Sequence, residues 1–148
     1  MKKAGFKIIG IAVRTTNNKA AEELGQLWEQ FHSENIFEKI PNRVSSDIYS
    51  IYTDYENNYT GAYTTIIGVL AANLDNIPDG LIGREFPETN FLQYTAKGEM
   101  PAAVVHTWNE IWQNDKKLNR QYTYDYEVYG AKCQNGKDSE VDIYIAVR

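Results

Sequence analysis

The stretch YDYEVYG, residues 124–130, sets one carboxylate, Glu127, among tyrosines in a β-prone run. A carboxylate in that place has two readings. On a solvated strand face it is an ordinary polar residue. Facing inward it needs compensation, because an unpaired buried carboxylate is costly. A cationic guest supplies that compensation, and surrounding aromatic faces add cation–π attraction. An earlier stretch, DIYSIYTDYE at 47–56, repeats the pattern Tyr-x-(Ile or Val)-Tyr with Ser50 in the place of Glu127. The serine implies that the strand does not need a carboxylate in order to fold.

No other group in the chain makes an equal case for chemistry. His32 and His106 have no Cys or His neighbour at metal-ligand spacing, and surface or core roles are expected of both. HExxH, paired CxxC, P-loop, GxSxG and GxGxxG motifs are absent, so neither metal nor cofactor is expected. The single cysteine, Cys133, has no activating partner in sequence and excludes an intramolecular disulfide. That usage is compatible with a cytoplasmic protein. Asn58-Tyr59-Thr60 matches the glycosylation tripeptide, a pattern that is common by chance.

Composition narrows the field. The net charge is 15 − 20 = −5 and no Lys/Arg run stands out, which argues against direct nucleic-acid binding. The N-terminus begins like a leader, but its apolar run is brief and interrupted by Arg14, and no stretch approaches a membrane span. Tyrosine is abundant, 11 of 148 residues, beside 5 Phe and 3 Trp. Tyrosine joins a large apolar body to a polar tip, which suits strands and equally the wall of a pocket.

The elements that must position these residues form a repeat. FKIIGIAVRT (6–15) reads as a strand, and the helix that follows carries Ala20, Leu24, Leu27, Trp28 and Phe31 on one face. HSENIFEKIPNRVSS reads as a loop, and DIYSIYTDYE and AYTTIIGVLAANL as strands. The segment DNIPDGLIGREFPETN, rich in Pro, Gly and Asp, reads as a linker. The order then recurs: strand FLQYTAKGE, helix MPAAVVHTWNEIWQN, strands YTYDYEVYGA and EVDIYIAVR. The expectation is a single α+β domain over 1–148 with two β-α-β-β modules, about 1–76 and 86–148, related by a pseudo-twofold axis. Trp28 then corresponds to Trp108, and Ser50 to Glu127. A cleft is expected at the junction.

Strand alternation assigns faces. Tyr124, Tyr126 and Val128 are expected under the second helix, with Asp125, Glu127 and Tyr129 on the opposite face. By the same logic Tyr49 and Ile51 face the first helix, while Ile48, Ser50 and Tyr52 face away. The last strand sends Val141, Ile143, Ile145 and Val147 inward and Asp142, Tyr144 and Ala146 outward. The expected pocket face thus gathers Ser50, Tyr52, Glu127, Tyr129 and Tyr144. Trp28 is expected to be core. Core packing is the default for Trp108 and Trp112, one of which can present an edge to the cleft.

Taken in order, GQLWEQF, IYSIYTDYENNYTGAYTTIIGV and YTYDYEVYG…DSEVDIYIAVR resemble the gyrase-inhibitor-like small-molecule-binding superfamily, also called AraC-type effector-binding domains. The resemblance runs over nearly the whole chain. It implies two β-α-β-β modules around a pocket that takes amphipathic, often cationic, drugs or effectors. It also implies a pocket glutamate in the third strand of the second module, which here is Glu127, with Tyr52, Tyr129 and Trp112 as aromatic neighbours. Relatives are often fused to a DNA-binding domain. None is read in this chain, which is expected to be a stand-alone sensor or sequestering protein with an open link to transcription regulation. Two alternatives stand beside this reading. One is a hydrolase of electrophilic small molecules using Glu127 and a pocket tyrosine. The other is a module that binds a partner protein.

Overall fold

A computed structural model describes residues 1–148. In chain order the elements are β1 (Lys2–Lys3), β2 (Phe6–Thr15), α1 (Ala20–Ser33), α2 (Ile36–Lys39), β3 (Arg43–Thr53) and β4 (Tyr63–Ala71). There follow β5 (Ile82–Phe86), β6 (Thr89–Lys97), α3 (Ala102–Gln113), α4 (Asp115–Leu118), β7 (Tyr124–Tyr129) and β8 (Glu140–Ala146). The strands make one antiparallel sheet in the order β1-β6-β8-β7-β3-β4-β2-β5. This is the expected α+β architecture, β2-α1-β3-β4 followed by β6-α3-β7-β8, with β3 and β7 paired at the centre.

The register carries the pseudo-twofold. Ser50 lies opposite Glu127, and a shift of 77 positions (127 − 50) takes one to the other. The same shift turns the pair Tyr52–Asp125 into Tyr129–Ile48, which is also observed. The repeat axis therefore passes through the Ser50–Glu127 pair. Gly10 and Gly68 face each other where β2 meets β4. A Cβ on Gly10 would fall 2.1 Å from the Ile67 carbonyl oxygen, so that approach requires glycine.

Both helices lie on one face of the sheet. Cross-strand partners share a face, and Ile67, Ser50, Glu127 and Ile143 are successive partners across β4, β3, β7 and β8. Helix α1 packs Leu27 and Phe31 on Ile9, Ile67 and Val69. Helix α3 packs Val104 and Ile111 on Val141, Ile143 and Ile145.

This corrects the expected faces. Glu127, Tyr129, Ser50 and Tyr52 belong to the helix side, whereas Tyr49, Ile51, Tyr124, Tyr126 and Tyr144 form a separate core on the other. That second face is buried without a helix because the sheet curls over it. Phe6 on β2 and Phe91 on β6 are five strand positions apart, roughly 24 Å in a flat sheet. Yet each ring centroid lies 5.3 Å from that of Tyr126. The aromatic run therefore signalled curl rather than helix contact. The parity of β8 does hold, with Val141, Ile143 and Ile145 under α3.

Smaller differences follow from pairing partners that a local reading does not contain. The linker contains β5, which pairs with β2 at one sheet edge, as β1 pairs with β6 at the other. The loop after α1 contains α2 and the start of β3, and α4 follows α3. No helix is long and apolar enough to cross a membrane.

Candidate functional site

Between α1 and α3, above the β3–β7 seam, lies a cavity of about 560 Å³. Its size is within the range of drug-sized ligand sites. Local sequence explains the opening. Ala20, Ala21 and Gly25 on α1 are too small to fill the gap, while Leu24 and Trp28 line it from the same helix. Helix α3 contributes Val104, Val105, Trp108 and Trp112. The floor is Tyr52 from β3 with Glu127 and Tyr129 from β7, and the far end holds Tyr55, Tyr59, Tyr63 and Arg120.

Glu127 is 1% exposed and is gripped by three donors. The Tyr52 hydroxyl donates to Oε2 at 2.8 Å and the Trp108 indole N–H to the same oxygen at 2.6 Å. The Tyr129 hydroxyl donates to Oε1 at 2.6 Å. Burial pushes the Glu127 carboxyl above its ordinary range, while the bonds from Tyr129, Trp108 and Tyr52 pull it back in part. Burial, then the adjoining carboxylate, raises both tyrosines well above their usual value, so they remain protonated donors. Burial and Glu127 also push Tyr63 up to about 12.

The grip follows the pseudosymmetry of the fold. Tyr52 and Tyr129 are repeat mates (129 − 52 = 77), and both reach the one carboxylate on the axis. Their aromatic partners are also mates. Trp108 meets Tyr52 edge-on at 5.4 Å, and Trp28 meets Tyr129 edge-on at 4.9 Å. Glu127 facing Ser50 breaks this symmetry and gives the seam its charge.

A second buried polar cluster adjoins the floor. Asp125, on the same face of β7, accepts from Arg120 Nη2 at 2.7 Å, the Tyr55 hydroxyl at 2.5 Å and the Ala146 backbone N–H at 2.8 Å. Burial opposes the Arg120 charge, but Asp125, Tyr55 and Tyr122 together outweigh it and hold the guanidinium protonated. Arg120, the cation in the cavity wall, is thus paired with Asp125 and leaves Glu127 without a cationic partner.

Of the residues singled out from sequence, Glu127, Tyr52, Tyr129 and Trp112 line this cavity. Ser50 does not. It is wholly buried beside Glu127, and its hydroxyl has no partner. Tyr144 is on the opposite face of the sheet, stacked 4.8 Å from Tyr126 with the Lys3 ammonium 4.1 Å above its ring. Its exclusion follows from the register, which pairs it with Tyr126 rather than Glu127. Trp28, expected as core alone, is half-buried and forms part of the wall. The residues that sequence reasoning missed are Tyr55, Tyr59 and Tyr63 around the β3–β4 turn, and Arg120 before β7. The tyrosine excess signalled the first three, whereas nothing local marked Arg120.

Residues 1–147 match the model of the Cass2 family, described as integron-associated effector binding protein. An integron cassette protein from the mobile metagenome of Vibrio cholerae, solved as a crystal structure, is 30% identical. Its TM-score is 0.79, covering 100% of this chain and 94% of that one. YobU of Bacillus subtilis (strain 168), described provisionally as a transcriptional regulator protein, is 26% identical over 147 residues, 96% of this chain and 92% of its own length. The fold is shared with SAV2435, solved bound to tetraphenylphosphonium, with a TM-score of 0.83 at 15% identity over 100% of this chain and 92% of that one.

Proposed function

Because the chain belongs to the Cass2 family of integron-associated effector binding proteins, we propose that its cavity captures amphipathic organic cations, in a sensing or sequestering role. One observation carries the reading. Glu127 is a buried carboxylate at the floor of an aromatic cavity, and its three partners are neutral donors. Arg120 and Asp125 cancel, so Glu127, when ionised, leaves the polar lining with one uncompensated negative charge. A cation entering the cavity supplies the missing partner, and the indole and phenol faces hold its apolar body. The ligand in the SAV2435 structure, tetraphenylphosphonium, has this chemistry.

The experiment is a calorimetric titration of wild type and Glu127→Gln with tetraphenylphosphonium and with tetraphenylborate, its anionic counterpart of the same shape. Glutamine keeps an oxygen for Tyr52 and Trp108 and removes the charge. The cation should lose about 1–3 kcal/mol of affinity in the variant, while the anion loses none. Equal affinity of the cation for both proteins would sink the reading. A bound cation lowers the Glu127 pKa, so binding should release a proton and weaken as acid protonates the empty site.

A further inference from the structure

We propose that the cavity selects cations whose charge lies midway between two aromatic arms, because its lining repeats about the axis that carries Glu127. This preference rests on the reading of Glu127 as the partner of the cation.

The walls come in pairs. A shift of 80 positions (108 − 28) takes Leu24, Gly25 and Trp28 of α1 to Val104, Val105 and Trp108 of α3, and all six line the cavity. Within the sheet the shift of 77 takes Tyr52 to Tyr129, which line it too. Each indole meets the tyrosine of the other module in nearly the same way. Trp28 lies 4.9 Å from Tyr129 with 73° between the ring planes, and Trp108 lies 5.4 Å from Tyr52 with 79°. A twofold at the β3–β7 seam produces this crossing, so the two indole–phenol walls are one arrangement used twice.

The charge lies between them. Tyr52 is two residues beyond Ser50 on β3, and Tyr129 is two residues beyond Glu127 on β7. The strands are antiparallel, so the two tyrosines leave the Ser50–Glu127 pair in opposite directions, and their hydroxyls reach back to the one carboxylate. Coulomb attraction to Glu127 needs no direct contact, and the arms of a ligand need only reach walls that face the open cavity. A cation charged at one end meets a conflict. Seating its charge over Glu127 leaves one wall uncovered, and covering both walls draws the charge away from the carboxylate. A cation charged in the middle satisfies all three.

Dibenzyldimethylammonium and (4-benzylphenyl)trimethylammonium test this. They are isomers with the same permanent charge and two phenyl rings each. The first holds its nitrogen between the rings, the second at one end. In calorimetric titration wild type should bind the first about tenfold more tightly, the worth of one aromatic wall. Trp28 is the wall residue to remove, since Glu127 takes its bonds from Tyr52, Trp108 and Tyr129. In Trp28→Ala the preference should vanish. The one-armed cation benzyltrimethylammonium can use either wall, so it should lose at most about twofold in that variant. Should Trp28→Ala fail to fold by circular dichroism, Trp28→Leu keeps apolar bulk without the aromatic face and makes the same comparisons. Three results overturn the paired walls: equal binding of the isomers by wild type, a preference that survives loss of Trp28, or a tenfold loss by the one-armed cation. If Glu127→Gln still weakens both isomers in that case, the cation reading stands. If Glu127→Gln weakens neither, both readings fall.

Discussion

At the scale of single residues, Glu127 is held where folding alone would not put a carboxylate. Its folded pKa is raised, first by burial. A carboxyl with a raised folded pKa contributes most stability when protonated in both states, below its unfolded value, and loses it as pH rises through the folded value. Wild type should therefore lose stability relative to Glu127→Gln as pH climbs from about 4 toward neutrality. At neutral pH the variant should be more stable by roughly 1–2 kcal/mol, because a buried charge has been replaced by a neutral isostere. Denaturant titrations of both proteins across this range read the difference. A variant less stable than wild type at neutral pH would mean that the three donors more than offset the burial of the charge.

At the scale of elements, α1 has two duties on adjoining faces. Phe31 is 1% exposed in the core beneath it, whereas Trp28 is half-buried and meets Tyr129 edge-on in the cavity wall. Phe31→Ala should cost about 3–5 kcal/mol of stability, as buried aromatic truncations do. Trp28→Ala leaves one wall of an existing cavity thinner rather than opening a new void. Its stability cost should fall to about 1–2 kcal/mol, and its main effect should be about tenfold weaker binding of tetraphenylphosphonium through the lost aromatic wall. Denaturant unfolding and calorimetry, applied to both variants, separate the two faces. A Trp28 variant that binds as wild type does would remove the helix from the site. Helical periodicity made the apolar stripe of α1 legible, but not the division of that stripe between core and cavity. Ala20, Ala21 and Gly25 were the local sign of it. A helix lined with small residues either packs closely on its neighbour or stands over a space, and only the position of α3 decides which.

At the scale of the molecule, the β3–β7 pairing joins both modules in one sheet and places the site on the seam. Neither module has a complete cavity. Glu127 takes one hydroxyl from β3 of the first module, and an indole N–H and a second hydroxyl from the second. Unfolding should accordingly be one cooperative transition, with tryptophan fluorescence and far-ultraviolet circular dichroism coinciding. Tetraphenylphosphonium at about 100 times its Kd should stabilise the whole chain by roughly 2.7 kcal/mol. Two resolved transitions, or stabilisation of one alone, would show that the modules fold independently.

The sequence by itself determined the repeat, the β-α-β-β order of each half and the singular place of Glu127. These rest on local periodicity and on comparison of one half of the chain with the other. Tyr52 and Tyr129 were legible as a pair for the same reason, since their mates recur at the same offset. Which face of the sheet Glu127 occupies was decided only by tertiary structure. Alternation separates two faces but does not say what covers each, and here both are buried, one by helices and one by the sheet's own curl. Tyr144 was assigned to the wrong side on that account. Arg120, Tyr55 and Tyr59 enter the site through loops whose paths depend on distant contacts. The Arg120–Asp125 pair closes over the irregular residues 121–123, and no periodicity constrains where such a segment folds back.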